Sequence, residues 1–461
     1  MTGSVKMDRK LARSVARRRL KGLRATQVVA LVFLGIILLG TVLLALPVAS
    51  RDGVSCGFRP ALFTATSATC VTGLVLFDTF TQWSGFGQVV IISLIQIGGL
   101  GFMSIATLFV FLFRRKVGLK QRMVMAQALS LNDMGDVVRL QKWVLVGSFT
   151  VEAVGAGILT LRFLPEHGIW TALKWGVFHS VSAFCNAGFD IFGCITPGAS
   201  LMEFSSDPVV LLTLSALVIV GGLGFLVWQE VLTRPRRLSV YARLVLIMTG
   251  LLLALGTLGI ALAEWDNPMT IGTMSTADKL LNCFFQSVTS RTAGFAAVDQ
   301  ALLTDAGKGI TMMLMLVGGS SGSTAGGVKT VTMVVLLLFL WSRARGKSTV
   351  CVFRRTIPAG RVMDAMTIFA LVVGLAVGGA VFISATGPVS FTDGLFETVS
   401  ALATVGVTAG VTGRLSIAAQ LMIILYMYFG RVGILTLSLG FLMGDEAEER
   451  FRYASTDLLI G

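Results

Sequence analysis

Charged side chains are scarce in this sequence. Only 13% of its 461 residues are Asp, Glu, Lys or Arg, whereas 54% are hydrophobic, and the mean hydropathy is +0.83. A water-soluble chain of this length exposes far more charge, so lipid must be part of the solvent. Histidine occurs only twice, and no HExxH or GxSxG motif is present, so an enzyme is not expected. The six cysteines form no CxxC pair, so neither a zinc site nor a disulfide framework is indicated.

Eight apolar runs are each long enough to cross a bilayer, which takes roughly 20 residues. The first run exceeds the apolar region of a signal peptide and further runs follow it, so we expect a membrane anchor. The sequence therefore predicts eight transmembrane helices. The runs cover residues 28–48, 86–113, 141–163, 207–232, 242–264, 309–341, 362–386 and 416–443.

Loops that are rich in Lys and Arg alternate along the chain with loops that have few of them. The net charge of +14 would ordinarily indicate a nucleic acid or an anionic surface as partner. Lys and Arg instead concentrate in the N-terminal tail and in the loops after the second, fourth and sixth runs, which is the positive-inside pattern. With an even number of spans, both termini are predicted to be cytoplasmic, and no nucleic-acid partner is expected.

Four short segments resemble one another, and an unnoticed repeat would change the whole fold assignment. In three of them a Phe stands ten residues and a Ser six residues before a Gly, and the remaining one is a residue shorter. Each segment lies between two apolar runs, which indicates four copies of helix, half-helix, glycine turn and helix. The segments are FTATSATCVTGL (63–74), FHSVSAFCNAGF (178–189), FQSVTSRTAGF (285–295) and FETVSALATVGV (396–407).

A second set of glycines follows the first set, once in each of the four repeats. Glycine pairs, or a close variant, begin at Gly98, Gly221, Gly318 and Gly430, which follow the turn glycines by 25, 33, 24 and 24 residues. Glycine is common in membrane helices for packing alone. Two motifs that recur together four times nevertheless favour a fourfold repeat.

The repeated turns are candidates for a cation filter. Non-helical backbone at membrane depth is tolerated only where protein buries it or where it lines a watery cavity. Carbonyl oxygens from four turns can replace part of a cation's hydration shell, and the half-helices aim their partly negative C-terminal ends at the same place. Glycine accepts φ > 0 and leaves room for the ion, although re-entrant packing loops are the alternative. The predicted filter residues are Val71, Thr72, Gly73, Asn186, Ala187, Gly188, Thr292, Ala293, Gly294, Thr404, Val405 and Gly406.

Three carboxylates follow the turns on the predicted extracellular side, namely Asp78, Asp190 and Asp299. Carboxylates at a pore mouth raise the local cation concentration. Each can equally be an ordinary solvated loop residue.

The sixth run is interrupted by GGSSGSTAGG (318–327), ten residues without a bulky side chain, where helix propensity is poor. An unwound loop there, below the third turn, can close a pore, and a kink used only for packing is the alternative. Arg431 lies mid-span, where a charge needs water or a partner, so it either opposes cations at the loop or forms a salt bridge with Glu152. The predicted gate residues are Gly318, Gly319, Ser320, Ser321, Gly322, Ser323, Thr324, Ala325, Gly326, Gly327, Lys329 and Arg431.

A phosphate-binding loop is a further alternative for this stretch. The pattern GxxxxGK[ST] is nearly matched, but one residue too many precedes Lys329, and no soluble strand precedes the motif. Nucleotide binding by this segment is therefore not expected.

The segments SAFCNAGFD and SVTSRTAGF, the glycine pairs, the GGSSGSTAGG stretch and the terminal MGDEAEE resemble the Trk/Ktr/HKT superfamily of potassium transporters over almost the whole chain. The length and the eight runs are most similar to its Ktr-type membrane subunit. The resemblance implies a homodimer, one pore per protomer, on a cytosolic ring of nucleotide-binding, RCK-type regulatory subunits. It also implies an intramembrane gate at the loop, with Arg431 in the same constriction, and potassium selectivity from four filter glycines. One departure is Cys70, where Thr or another small polar residue is expected.

Together these features predict an all-α membrane protein with four tandem helix, pore-loop, helix repeats around a pseudo-fourfold pore. Its predicted function is potassium uptake across the plasma membrane, without a covalent cofactor and with sodium left open as an activating ion. An alternating-access cation carrier is the alternative, but carriers commonly show two inverted halves. The predicted units are a basic cytoplasmic tail (1–24), repeat 1 (25–120), repeat 2 (121–235), repeat 3 with the interrupted helix (236–350), and repeat 4 with the C-terminal tail (351–461).

Overall fold

The computed structural model describes residues 25–101, 137–233 and 235–433, and these residues are mostly helical. The helices are α1 (Ala25–Ala45), α2 (Phe58–Cys70), α3 (Thr79–Gln82), α4 (Gly85–Leu100), α5 (Val137–Phe184), α6 (Pro208–Leu223), α7 (Phe225–Thr233), α8 (Val240–Glu264), α9 (Thr276–Thr289), α10 (Asp305–Leu316), α11 (Thr330–Ala344), α12 (Ala359–Thr386), α13 (Phe391–Ala403) and α14 (Ile417–Val432). Strands β1 (Cys351–Val352) and β2 (Arg355–Thr356) form one antiparallel hairpin. The predicted all-α membrane class is confirmed.

Helices α1, α5, α8 and α12 are long and apolar enough to cross a membrane by length and composition. Helices α4, α11 and α14 are apolar but shorter. The run over 207–232 is not one straight helix, because α6 and α7 are bent by 96° at the single residue between them, and the two helices together are long and apolar enough for a span. Several segments of the sequence analysis lie outside the described residues. They are the basic tail, the loop at 114–122, the ends of the second and eighth runs, and the MGDEAEE segment.

The half-helices that precede the four turns are α2, the end of α5, α9 and α13. Helix α5 consists of two helices that meet at a kink, because Gly168 has non-helical angles (φ 72°, ψ 166°). Residues 169–184 form the second half-helix. The repeated phenylalanine of each half-helix points into the protein, with exposures of 0% for Phe63, 4% for Phe178, 1% for Phe285 and 0% for Phe396. Burial of this side chain is why the motif begins with an aromatic residue.

The helix that follows each turn, here called an inner helix, begins with a similar cap. The inner helices are α4, α6, α10 and α14. The side chains of Ser84, Asp207, Thr304 and Ser416 each accept a hydrogen bond from a backbone N–H in the first turn. These caps satisfy donors that a helix start leaves free.

Repeat 2 has the longest connection between its turn and its inner helix. This longer connection is why Gly221 follows Gly188 by 33 residues, whereas the other repeats have 24 or 25. Residues Phe192–Cys194 and Met202–Phe204 form short 3-10 turns there. The ring of His179 stacks on Phe192 with centroids 3.9 Å apart, and the backbone N–H of Ile191 donates to its Nε2 at 3.2 Å. His179 is therefore a buried packing and capping residue.

Candidate functional site

All four turns adopt the same unusual backbone conformation. The first residue of each predicted filter triplet is left-handed: φ is 56° at Val71, 59° at Asn186, 70° at Thr292 and 50° at Thr404. The last residue, the glycine, has φ of 98°, 68°, 88° and 94° in the same order. A left-handed β-branched residue is a genuine outlier, and such strain, about 1–3 kcal/mol per residue, tends to cluster at functional sites.

Hydrogen bonds from the half-helix hold the turns in place. In repeat 1 the backbone N–H of Thr72 donates to the Ser67 carbonyl at 2.8 Å, and that of Gly73 donates to Ser67 Oγ at 3.0 Å. Repeat 4 has the same pair of bonds, at 2.8 and 3.0 Å, around Ser400. In repeat 2 the hydroxyl of Ser182 instead donates to the Phe189 carbonyl at 2.7 Å. The conserved spacing of the serine before the glycine is therefore a turn-forming device.

The four glycines meet in one closed ring. A Cβ placed on each glycine would come closest to a carbonyl oxygen of the middle filter residue in the next repeat, and the fourth repeat leads back to the first. Three of these separations would be 2.5–2.6 Å, shorter than van der Waals contact. The pairs are Gly73 with Ala187, Gly188 with Ala293, Gly294 with Val405, and Gly406 with Thr72.

The chemistry of this ring suits a cation. Carbonyl oxygens come together where side chains are excluded, and the half-helices end at the same place. Helices α2 and α13 carry no basic residue in their last turn, so their partly negative ends are not neutralised there. Helix α9 differs, because Arg291 follows its last residue, Thr289, by two positions. The Asn186 amide and the Thr292 hydroxyl also meet at 3.2 Å, which joins repeats 2 and 3 behind the turns.

All four inner helices end at or beside the second set of glycines. Helices α4, α6 and α14 end at the position just before a glycine of positive φ, and α10 ends at Leu316 before the glycine-rich stretch. Only the interruption of the sixth run was predicted. The missed signal is a further glycine three residues after the start of three of the four pairs. These glycines are Gly101 (φ 79°), Gly224 (φ 90°) and Gly433 (φ 96°).

The glycine-rich loop, residues 317–329, is a closed and ordered segment. The backbone N–H of Gly318 donates to the Val328 carbonyl at 2.9 Å, and Thr330 Oγ1 donates to the Gly318 carbonyl at 2.9 Å. Lys329 Nζ donates to the Ala325 carbonyl at 2.7 Å. The predicted unwinding is thus present, and the loop closes on itself through backbone groups.

The glycine-rich loop also binds its neighbours. The N–H of Ser320 donates to the Gly222 carbonyl at 3.0 Å, and Thr324 Oγ1 donates to the Phe184 carbonyl at 3.1 Å, at the end of the second half-helix. Tyr241 of α8 donates its hydroxyl to a loop carbonyl at 2.9 Å. The loop therefore lies directly below the ring and touches helices of several repeats.

Arg431 joins the glycine-rich loop to repeat 1. Its guanidinium donates to the carbonyls of Thr324 and Gly98, and to that of Gly99 at 3.1 Å. Glu152 instead accepts from a glutamine of α4 at 2.9 and 3.0 Å. Among the described residues Arg431 forms no salt bridge with Glu152, and its partners are backbone carbonyls of the glycine-rich loop and of α4. Its predicted role against cations at the loop stays a prediction.

The carboxylates beyond the turns have local structural partners. Asp78 caps α3 and accepts from the Gly198 N–H at 3.1 Å, and Asp299 accepts from the Ala301 N–H at 2.9 Å. Burial, and then the neighbouring charge of Asp78, raise the pKa of Asp190 to about 7. The loops at the mouth therefore hold three acidic groups in defined positions.

Two buried ionisable side chains beside the turns were missed by the sequence analysis. Glu397 is 0% exposed and accepts hydrogen bonds from the hydroxyls of Thr408 and Thr412. Arg291, which directly precedes Thr292, is 8% exposed. The available signal was a charged residue inside each of two apolar repeat segments.

These features define a multi-span α-helical membrane protein in which four glycine turns surround one point and a glycine-rich loop lies against the end of the second half-helix. The sequence profile of the TrkH family, described as a cation transport protein, matches residues 24–453. The chain belongs to this family, which confirms the resemblance noted above. The activity described for the family is cation transport and not an enzymatic reaction.

Named relatives cover nearly the whole chain. The potassium/sodium uptake protein NtpJ of Enterococcus hirae is 39% identical over 96% of this chain and 98% of its own. The Ktr system potassium uptake protein B of Bacillus subtilis is 38% identical over 92% of this chain and 94% of its own. The crystal structure of the potassium transporter TrkH from Vibrio parahaemolyticus superimposes with a TM-score of 0.69 at 19% identity, covering 90% of this chain and 84% of that one. That likeness concerns the fold.

Proposed function

We propose that this chain takes up potassium ions across a membrane through a selectivity filter formed by its four glycine turns. The observation that carries the proposal is the closed ring in which each turn glycine faces a carbonyl of the next repeat. Such carbonyls can take the place of hydration water around a monovalent cation. The relatives named for potassium uptake support the choice of ion.

The same geometry favours a pore over an alternating-access carrier. A carrier of the common kind holds its substrate between two inverted halves. Here four turns share the same pattern of positive φ angles, and each turn contributes one glycine and one carbonyl to a single ring. The repeat boundaries of the sequence analysis stay a prediction.

We further propose that the glycine-rich loop, with Lys329 and Arg431, is the gate. Its support is the position of the loop directly beneath the ring and the three carbonyls bound by Arg431. A guanidinium at this level also repels a passing cation. Opening then requires the loop to exchange these bonds for others, which a cytosolic partner can drive.

The assembly remains part of the proposal. The names of three relatives refer to a Ktr system, which supports a separate regulatory subunit, here proposed to be a cytosolic nucleotide-binding ring. A homodimer, a plasma-membrane location, both termini in the cytoplasm and activation by sodium complete the proposal.

Single serine substitutions test the filter. Gly73→Ser, Gly188→Ser, Gly294→Ser and Gly406→Ser each place a side chain at positive φ against a carbonyl, so rubidium and potassium uptake should fall in cells that lack other uptake systems. Gly374→Ser is the matched control, because Gly374 lies in α12 with nothing within 4 Å of an added Cβ. Unchanged flux in all four filter variants, at normal expression, would reject the filter.

Removal of the loop tests the gate. Deletion of residues 318–327 should raise rubidium flux in the absence of any cytosolic partner. A normally expressed deletion variant with no such increase contradicts the gate assignment and leaves the filter assignment intact.

A further inference from the structure

Arg291 is a buried charge that neither the proposed filter nor the proposed gate uses. Its side chain is 8% exposed, and its Nε has no hydrogen-bond partner in the part of the chain that the structure describes. Arginine keeps its proton in proteins. A buried, unpaired charge is costly to the fold, so its presence directly before a filter residue calls for a functional reason.

The internal repeats show that this position is unusual. The residue that precedes the left-handed position is Cys70 in repeat 1, Cys185 in repeat 2 and Ala403 in repeat 4, with exposures of 0%, 0% and 2%. All three are small and uncharged. Repeat 3 therefore places a cation where the other repeats place only packing atoms.

Arg291 lines a small cavity in the described part of the chain. The cavity lies between α6, α8, α9 and the glycine-rich loop, and its lining includes Gly222, Thr249, Leu253 and Gly319. The cavity has room for about one water molecule at most, so the charge of Arg291 is only weakly hydrated there.

Arg291 differs from the other buried charges near the ring. Arg431 and Lys329 bind loop carbonyls, and Glu152 and Glu397 accept hydrogen bonds from neighbouring amide or hydroxyl groups. The Nε of Arg291, in contrast, donates to no acceptor among the described residues. It acts on the ring mainly through its field.

We propose that Arg291 makes the filter discriminate against divalent cations by charge. This inference rests on the proposed function. Coulomb repulsion is proportional to the charge of the ion. For any two unit charges at a separation of about 10 Å and an effective dielectric constant of about 20, the repulsion weakens monovalent binding on the order of tenfold. Divalent binding is weakened by about the square of that factor. The acidic groups at the mouth attract divalent ions more strongly than monovalent ones, and Arg291 reverses that preference at the filter.

The test uses the full chain, purified and reconstituted in liposomes. Rubidium uptake against concentration gives the monovalent affinity, and inhibition by barium gives the divalent affinity. Arg291→Met and Arg291→Gln should each lower the KM for rubidium on the order of tenfold and strengthen barium block on the order of a hundredfold. Arg291→Lys, which keeps the charge, should resemble the unmodified protein. Arg414→Met, which removes an exposed arginine, is the control and should change neither value, because salt screens exposed charges.

Stability provides a second readout. Removal of a buried unpaired charge should leave Tm unchanged or raise it, so improved barium block cannot be ascribed to loosened folding. Equal shifts for rubidium and barium, or a shift in Arg291→Lys as large as in Arg291→Met, would overturn the inference. An unmodified protein whose rubidium uptake does not depend on the four glycines would instead overturn the proposed function.

Discussion

Glu397 ties the fourth half-helix to the segment that leaves the filter, and replacing it with leucine should loosen that filter turn. The carboxylate is fully buried in α13. It accepts hydrogen bonds from the hydroxyl of Thr408 and, at 3.0 Å, from that of Thr412. Both threonines lie shortly after Gly406, so the carboxylate fixes the path of the backbone beyond the glycine.

The size of the effect follows from the donors left behind. The hydroxyl oxygens of Thr408 and Thr412 lie 2.8 Å apart. In Glu397→Leu one hydroxyl can therefore donate to the other, and only one of them is left without an acceptor. An unsatisfied buried donor costs about 1–3 kcal/mol. If all of this free energy bears on the filter, the preference for potassium over sodium falls by roughly tenfold to a hundredfold, since about 1.4 kcal/mol corresponds to a factor of ten.

The assay is rubidium uptake in competition with sodium, together with thermal unfolding of the purified protein. Glu264→Leu is the matched control. Glu264 is also buried, at 1% exposed, and it accepts from Thr270 Oγ1 at 2.8 Å and from the Thr304 N–H at 2.9 Å, but it lies at the end of α8, away from the turns. Both variants should lose stability, and only Glu397→Leu should lose selectivity. Unaltered sodium competition in a folded Glu397→Leu protein, or equal loss in Glu264→Leu, would refute the reasoning.

Three further predictions concern the mouth and the gate. Because burial and the charge of Asp78 raise the pKa of Asp190 to about 7, this carboxylate is half-neutralised near pH 7; uptake at limiting potassium should fall from pH 8 to pH 6, and Asp190→Asn should flatten that profile. Arg431→Met removes the three carbonyl contacts of the guanidinium and should raise partner-independent rubidium flux severalfold; reduced flux in a well-expressed variant would argue against the gate. Tyr241→Phe removes one hydrogen bond to Ser321, worth about 0.5–1.5 kcal/mol, and should raise basal flux by less than Arg431→Met does, as measured in the same liposomes.

Much of this architecture could be predicted because the relevant signals are local. Apolar length specifies membrane helices whatever their packing, and the recurrence of Phe, Ser and Gly at set distances exposes the repeat. The serine before the glycine could be singled out although its bonding role was unknown. Arg431 was found because a charge in an apolar run is rare and costly.

Other features were not open to prediction, because they depend on groups far apart in the chain. The bend between α6 and α7 occurs at one glycine, and glycine inside an apolar run is compatible with a straight helix as well as with a break. The partners of Arg431 lie 107 and more than 300 residues away. A salt bridge with Glu152 was the competing prediction, and in the structure the two side chains bond to other groups.

The amino-acid sequence by itself determined the solvent, the number of repeats and the positions at which the backbone must turn, since these follow from hydropathy and from the freedom of glycine. Only the tertiary structure decided that each glycine faces a carbonyl of the next repeat, that the glycine-rich loop lies beneath the ring, and that Arg291 lines a cavity without a partner for its Nε. The reason is physical: hydropathy and backbone preference act within a few residues, whereas a ring of carbonyls and an unpaired charge are defined by distances between segments that only folding brings together.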